Sequence, residues 1–152
     1  MAAIKYFDLR QNRISDYKFE YDKMLDFKGN TAVYLLYSYV RLSSILRKSG
    51  LDATAFKELA DKGFKITHPH ERLLAAILVK LPETIDLIIE ELDIHKLCDL
   101  VYNLAVKVAE GYSKYRILDD PNKNTRILLI EAIRMVLEKS LFLIGIETID
   151  KI

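Results

Sequence analysis

Apolar residues recur every three or four positions through most of this chain, and that spacing predicts amphipathic α-helices. From residue 30 onward, glycines, prolines and capping residues divide the pattern into helical segments. The predicted helices cover about residues 30–48, 53–62, 67–81, 83–92, 94–117 and 125–144. The sequence therefore predicts an all-α fold, a bundle of about five or six helices.

Residues 16–22, DYKFEYD, depart from this pattern because polar and aromatic residues alternate there. Alternation with a period of two predicts a β-strand. A single strand cannot form a sheet by itself. We therefore expect this orphan strand either to pair in a homodimer or to belong to a sheet whose other strands lie outside this chain.

The composition is that of one globular domain. Of the 152 residues, 51% are apolar, which is enough for a core. The one cysteine, Cys98, lies on an apolar stripe, which predicts a core position; alone it excludes an internal disulfide and fits a reducing compartment. No apolar run could span a membrane, and the first residues do not resemble a signal peptide, so we expect a cytoplasmic location.

Charge is distributed unevenly along the chain. The total is balanced, with 23 basic and 22 acidic residues. The first fifty residues contain nine Lys or Arg and five Asp or Glu, whereas residues 51–100 contain six and ten. Such an asymmetry can favour a polyanion on one face, and it is equally typical of an ordinary uneven surface.

The first long predicted helix has two distinct faces. A helical projection at about 100° per residue places an apolar stripe on one side: Leu35, Tyr39, Leu42 and Leu46. The opposite side has aromatic and basic residues and no acid: Tyr34, Tyr37, Arg41, Ser44 and Lys48. Aromatic rings stack on unpaired bases and arginine binds phosphate, so this face favours single-stranded nucleic acid. The alternative is a solvated face whose tyrosines pack at its margin.

A similar pair occurs near the end of the predicted helix 94–117. Tyr112 and Arg116 lie four residues apart on one face, in line with the small residues Ala105 and Ala109. They could project beyond the helix contact toward a ligand. The local pattern favours the alternative, a core tyrosine and a surface arginine at a helix C-terminus, where a cation is stabilised.

His68, His70 and Glu71 suggest a metal site but do not complete one. The two histidines point to different sides of a helix start, and no second cluster supplies the remaining ligands. We expect these residues to cap the helix instead. The chain also lacks a glycine-rich phosphate loop and any specific catalytic triad. We therefore expect no metal site, no bound cofactor and no catalytic residues in this chain.

Several segments of the chain resemble arginyl-tRNA synthetases, class I enzymes that join arginine to its tRNA using ATP. The most specific motifs are N-T-x-x-Y-L-x-Y-x-x-x-R at residues 30–41 and H-x-L-C-D-x-x-Y-x-L-A at residues 95–105. Further segments occur in the family's order: IKYFDLRQNRISDYKFEYDKML, HPHERLL, LPETIDLIIEEL and RILLIEAIRMVLEKSLFLIGI. The resemblance extends from Ile4 to the last residue.

The resemblance implies two parts in the chain. Residues 29–152 would be the helical anticodon-binding domain, called the DALR domain, and residues 1–28 would be the C-terminal end of a catalytic domain. The missing remainder of that domain would supply the sheet for the orphan strand. ATP and Mg²⁺ would act in the complete cytoplasmic ligase, whereas this part of it would bind tRNA without catalysis.

The resemblance also implies where RNA would bind. The face with Tyr34, Tyr37 and Arg41 would be turned toward the anticodon stem and loop of an arginine tRNA, whose middle anticodon base is cytosine. Tyr112, with Arg116 on the same helix face, and the C-terminal Ile152 would lie near the anticodon bases. The sequence departs from the family at position 36, where leucine replaces glutamine, and in its last five residues, where a proline-x-x-Arg-Met ending is usual.

Two other interpretations remain open. The chain could be the anticodon-binding domain of another class I synthetase, or a helical protein-interaction module that uses its aromatic face on a partner helix. A small independent enzyme would have only His68, His70 and Glu71 to support it. Salt dependence separates the first two classes, because polyanion binding weakens steeply with salt and an apolar interface does not.

Overall fold

The computed structural model describes residues 1–63, 65–112 and 117–149, with the backbone alone at Tyr112. In these residues the chain forms eight α-helices and no β-strand. The helices are α1 (Ala2–Leu9), α2 (Tyr21–Leu25), α3 (Ala32–Ser49), α4 (Ala53–Asp61), α5 (Pro69–Leu78), α6 (Leu81–Glu91), α7 (His95–Tyr112) and α8 (Lys123–Leu143). The predicted all-α class is confirmed, and α3 to α8 correspond to the predicted bundle.

Local capping chemistry explains where the bundle helices begin and end. The Thr31 hydroxyl oxygen accepts a hydrogen bond from the Tyr34 amide at 3.1 Å, and α3 begins there. The Asp52 carboxylate accepts one from the Ala55 amide at 2.8 Å and starts α4 in the same way. At the other end of α3, Gly50 adopts the left-handed conformation, with φ of 70°, that glycine tolerates best.

Helices α3, α7 and α8 contribute most of the core. The four residues of the predicted apolar stripe on α3 are all buried: Leu35, Tyr39, Leu42 and Leu46. They share one buried cluster with residues of α7 such as Leu104 and residues of α8 such as Leu137. Helices α5 and α6 pack against α7, and α4 packs against α8. No helix in the described part of the chain is long and apolar enough to cross a bilayer.

The prediction of a β-strand at residues 16–22 is wrong. The segment is irregular, and α2 begins within it. The rings of Tyr17 and Phe19 pack edge-on against Phe7 of α1, with centroid distances of 5.7 and 5.4 Å. The Tyr17 hydroxyl also donates to Asp8 of α1. The alternation placed aromatic rings on one side of the segment, and a helix, not a neighbouring strand, covers them.

Helix α1 is joined to the bundle by a buried hydrogen-bonded junction. Tyr6 is fully buried; its hydroxyl donates to Asn30 Oδ1 at 2.6 Å and lies 3.2 Å from the Cys98 carbonyl oxygen. Arg10 donates from Nη1 to the Asn30 carbonyl oxygen at 2.6 Å. Asn30, the first residue of the specific motif before α3, is therefore a structural residue. The assignment of residues 1–28 to a catalytic domain stays a prediction.

Candidate nucleic-acid interface

The polar face predicted for α3 lies on the side of the helix opposite its buried stripe. Tyr37 has 48% of its surface exposed, and Arg41 and Lys48 are exposed as well. Tyr34 and Ser44 are half-buried. The face thus offers one accessible ring and two cations to solvent, with a second ring at its edge.

A shallow pocket opens where this face of α3 meets α7. Its wall on α3 is formed by Tyr34, Tyr37, Ser38 and Arg41. Its wall on α7 is formed by Ala105, Val108 and Ala109. The two alanines extend only one carbon from the backbone of α7, which leaves room between the helices. The pocket therefore brings two phenol rings and a guanidinium group together at the protein surface.

Tyr34 contacts both helices that form the pocket. Its ring packs edge-on against Tyr102 of α7, with centroids 5.8 Å apart and planes at 67°. The Ser38 hydroxyl donates to the Tyr34 carbonyl oxygen at 2.8 Å, and Thr31 caps the Tyr34 amide. Burial, and then the nearby Tyr102 hydroxyl, raise the pKa of Tyr34 above its usual value of 10. Tyr34 is therefore an uncharged ring at neutral pH.

The charge around the pocket is more mixed than the sequence of α3 predicts. That helix has no acid, but α7 contributes Glu110, which lies close enough to Tyr34 to raise its pKa. Glu110 is itself paired with Lys107, whose Nζ lies 2.8 Å from Oε1. The positive charge of Arg41 lowers the pKa of Tyr34 instead. A neighbouring helix thus adds a carboxylate that the helical projection of α3 could not reveal.

Three of the predicted RNA-binding positions lie outside what the structure describes. Tyr112 is the last residue of α7, and its side chain is not among the described atoms. Arg116 and Ile152 fall in segments that the described ranges omit. Their contacts with RNA stay predictions. Ser44 and Lys48 continue along α3 beyond the pocket, which they do not line.

The histidines of the HPHE sequence have structural partners. His68 caps α5 as predicted, since its Nδ1 accepts a hydrogen bond from the His70 amide at 3.1 Å. The His70 ring hydrogen-bonds through Nε2 to the Lys107 carbonyl oxygen of α7 at 2.8 Å. Across the described ranges, no group of three or more His, Cys, Asp or Glu residues is arranged to hold a metal ion.

Glu71 does not have the predicted capping role, because it is a buried partner of Arg126. Its Oε1 accepts from Arg126 Nε at 2.8 Å, and Arg126 Nη1 lies 2.7 Å from an Asp120 carboxylate oxygen. Burial lowers the pKa of Arg126, because it disfavours the charged guanidinium. The hydrogen bonds and charges of Glu71 and Asp120 have the larger effect, so the net pKa of Arg126 is raised. Sequence reasoning missed this network because no periodic pattern links Glu71 to a partner so distant in the chain.

Cys98 is a core residue, as predicted. It is fully buried, and burial, followed by the nearby Asp99 carboxylate, raises the pKa of its thiol to about 12. A thiol that stays protonated and inaccessible cannot act as a nucleophile at neutral pH.

Comparison with protein families gives a match over most of the chain. The model of the DALR anticodon binding domain family matches residues 35–152, which include α4 to α8 and most of α3. The pocket residues Tyr37, Arg41, Ala105 and Ala109 all fall within the matched range.

Curated relatives and solved structures agree with this match. The chain is 39% identical over 151 residues to a chloroplastic/mitochondrial arginine–tRNA ligase of Arabidopsis thaliana, and 38% identical over 153 residues to an arginine–tRNA ligase of Nostoc punctiforme. Each alignment includes 99% of this chain but only 23% and 26% of the relative. The chain thus spans about a quarter of the length of these relatives.

The backbone resembles two solved arginyl-tRNA synthetases in particular. Against the crystal structure from Plasmodium falciparum the TM-score is 0.90 at 35% identity, covering 99% of this chain and 26% of that one. Against the enzyme of Thermus thermophilus the TM-score is 0.83 at 25% identity, again with 99% and 26% coverage.

Proposed function

Because this chain belongs to the DALR anticodon-binding domain family, in the form found in arginyl-tRNA synthetases, we propose that its α3–α7 face binds the anticodon stem and loop of an arginine tRNA. The observation that supports this most directly is the pocket in which Tyr34, Tyr37 and Arg41 meet. Loop bases that are unpaired expose both their faces and their hydrogen-bonding edges, so a protein can read them there.

The residues of this face would make different kinds of contact with RNA. Tyr37 is nearly half exposed, so its ring can stack on a base without any rearrangement of the core. Such a stack contributes about 1–3 kcal/mol. Arg41 offers a guanidinium that can bind a phosphate or the edge of a base. Ser44 and Lys48 continue the same face along α3, where they would meet the backbone of the stem.

The remainder of the proposed site lies at the end of α7 and at the C-terminus. Tyr112 and Arg116 would approach the anticodon bases from α7, and Ile152 would lie beside them. In this arrangement the middle anticodon cytosine is the base whose identity is read. Ala105 and Ala109 line the pocket, and Tyr112 follows them at helical spacing on α7, which supports the proposal that the site extends toward the helix end.

We extend the proposal to the longer protein of which this chain would be one part. The catalytic domain of that protein would hold ATP and Mg²⁺ and would join arginine to the tRNA that this domain positions. Residues 1–28 would be the C-terminal end of that catalytic domain. The chain alone is not expected to attach arginine to tRNA, because its sequence contains no ATP-binding motif.

Binding of a labelled anticodon stem-loop, measured by fluorescence anisotropy at several salt concentrations, tests the proposal. Affinity should fall steeply with salt, because phosphate contacts release counterions. Arg41→Glu should weaken binding of all RNA sequences and reduce the salt slope by about one. The melting temperature should hardly change, since Arg41 is exposed.

Arg72→Glu provides the matched control, because it makes the same charge change at an exposed position on α5 that does not line the pocket. If it weakens binding as much as Arg41→Glu does, the attraction is general and the α3–α7 face is not the site. If the wild-type chain shows no binding of the stem-loop, the proposal is wrong. Salt-insensitive capture of a helical peptide would instead support a protein-interaction module.

A further inference from the structure

Tyr102 does not line the pocket, but its ring contacts Tyr34, which does. Its ring meets the ring of Tyr34 edge-on at 5.8 Å. Among the ring contacts within the described ranges, this is the one that connects α3 with α7. Tyr34 lines the pocket and Tyr102 does not, so we expect Tyr102 to affect a bound base through its contact with Tyr34.

The position of Tyr102 is fixed by the core on either side of it. Its neighbours Val101 and Leu104 are fully buried, and Ala105 is almost so. The backbone of α7 therefore cannot shift at this point without disturbing the packing of the bundle. The Tyr102 ring itself is half-buried, at the boundary between the core and the face of α3.

Tyr34, in contrast, lies in the first turn of α3, the part of a helix with the fewest internal hydrogen bonds. Thr31 and Ser38 hydrogen-bond its amide and carbonyl groups, which fixes its backbone. Neither bond restricts rotation of its side chain. The ring itself packs against the margin of the core and makes an edge contact with Tyr102, and an edge-to-face pair prefers a defined angle between its two planes.

We propose that Tyr102 is a positioning residue for RNA binding: it holds the Tyr34 ring in the orientation in which its free side faces the pocket. This inference rests on the proposed function, because it concerns the same RNA site. Loss of the Tyr102 ring would free Tyr34 to adopt other rotamers, so part of the binding energy would be used to restore the productive one. The charge of the site would not change.

Stem-loop affinities of the 152-residue chain and its variants test the proposal. Tyr102→Leu removes the ring but stays apolar, and binding should weaken about two- to tenfold, the loss that an aromatic edge contact accounts for. Tyr102→Phe keeps the edge contact and should bind within about twofold of the wild type. The salt slope should be unchanged in both variants, since no phosphate contact is lost.

The decisive comparison uses Tyr34→Ala. In that background there is no ring left to orient, so adding Tyr102→Leu should cause no further loss of affinity. Tyr102→Met is measured in parallel, because its unbranched side chain fills much of the same space if leucine prevents folding. The Tyr34 ring resonances in the NMR spectrum of the free protein should shift in both variants and stay in place in Tyr102→Phe.

Three results would overturn the inference, and they differ from one another. Wild-type affinity in a folded Tyr102→Leu or Tyr102→Met chain would show that Tyr34 needs no such support. An equal loss in the Tyr34→Ala background would show that Tyr102 contacts RNA directly. No binding by the wild-type chain would defeat the proposed function itself, and the positioning role with it.

Discussion

Glu71 and Arg126, which are 55 positions apart in the sequence, form an ion pair of 2.8 Å inside the protein. Their side chains are only 4% and 10% exposed. Asp120 binds the same guanidinium from the segment before α8. The pair therefore ties the first turn of α5 to the first turn of α8, close to the part of α7 that His70 holds through the Lys107 carbonyl oxygen.

Glu71→Ala should destabilise the protein by about 3–5 kcal/mol, because it leaves a buried cation without its main partner. Urea unfolding followed by circular dichroism measures the change. The double variant Glu71→Leu with Arg126→Met should recover much of the loss, since neither charge then remains in the core. Asp93→Ala is the matched control: its partner Arg13 is 58% exposed, and removing such a surface pair should cost less than about 1 kcal/mol. Equal losses of unfolding free energy in Glu71→Ala and Asp93→Ala would show that the buried pair contributes no more to stability than the surface pair.

Leu42→Ala should cost about 2–5 kcal/mol of unfolding free energy, because Leu42 is 1% exposed in the centre of the α3 stripe. RNA affinity measured below the melting transition should stay close to the wild-type value. Ser44→Ala, on the other face of the same helix, should change stability by less than about 0.5 kcal/mol. A near-neutral Leu42→Ala would contradict the burial of this face.

Tyr112→Ala should weaken RNA binding by about 1–3 kcal/mol if its ring stacks on an anticodon base. The change is best measured in a complete synthetase, with the cognate tRNA and with one whose middle anticodon cytosine is replaced. The loss should be larger for the cognate tRNA, with a coupling well above about 0.5 kcal/mol in the double-mutant cycle. A coupling near zero in a folded variant would move the anticodon site toward Tyr34 and Tyr37.

Cys98 should resist thiol reagents in the folded protein at pH 8. Its thiol is fully buried and has a pKa raised to about 12, so almost none of it is thiolate. Reaction with Ellman's reagent should be complete soon after unfolding in urea and very slow without it. The raised pKa also implies that the thiol's own contribution to stability is constant below the pKa of the unfolded thiol and falls as the pH rises from there toward 12. Rapid labelling of the native protein would contradict both statements.

The parts of the fold that the sequence predicted are those decided locally. Helices α3 and α4 begin at the capping residues Thr31 and Asp52, and α3 ends at Gly50. Each residue acts on neighbours only a few positions away, so these signals are visible in the sequence alone. The buried stripe of α3 is equally local, because helical periodicity alone defines it. These features needed no knowledge of what packs against them.

The parts that were missed depend on a distant partner. The alternation of Tyr17 and Phe19 is compatible with a strand, and only the presence of Phe7 on α1 decides that the rings pack on a helix. The edge contact between Tyr34 and Tyr102, like the Glu71–Arg126 pair, joins two helices whose relative position no single-helix projection contains. The polar face of α3 was predictable, but the pocket needed α7.

The buried junction around Tyr6 bears on how such a domain can be exchanged between proteins. A recombination point at residue 29 would leave a cavity the size of a tyrosine side chain between α3 and α7 and would deprive Asn30 of its hydrogen-bond donor. The segment that has to be transferred intact is therefore longer than the stretch from α3 to the C-terminus, because it must include α1. Engineers who graft this bundle onto another enzyme should therefore keep α1 with it.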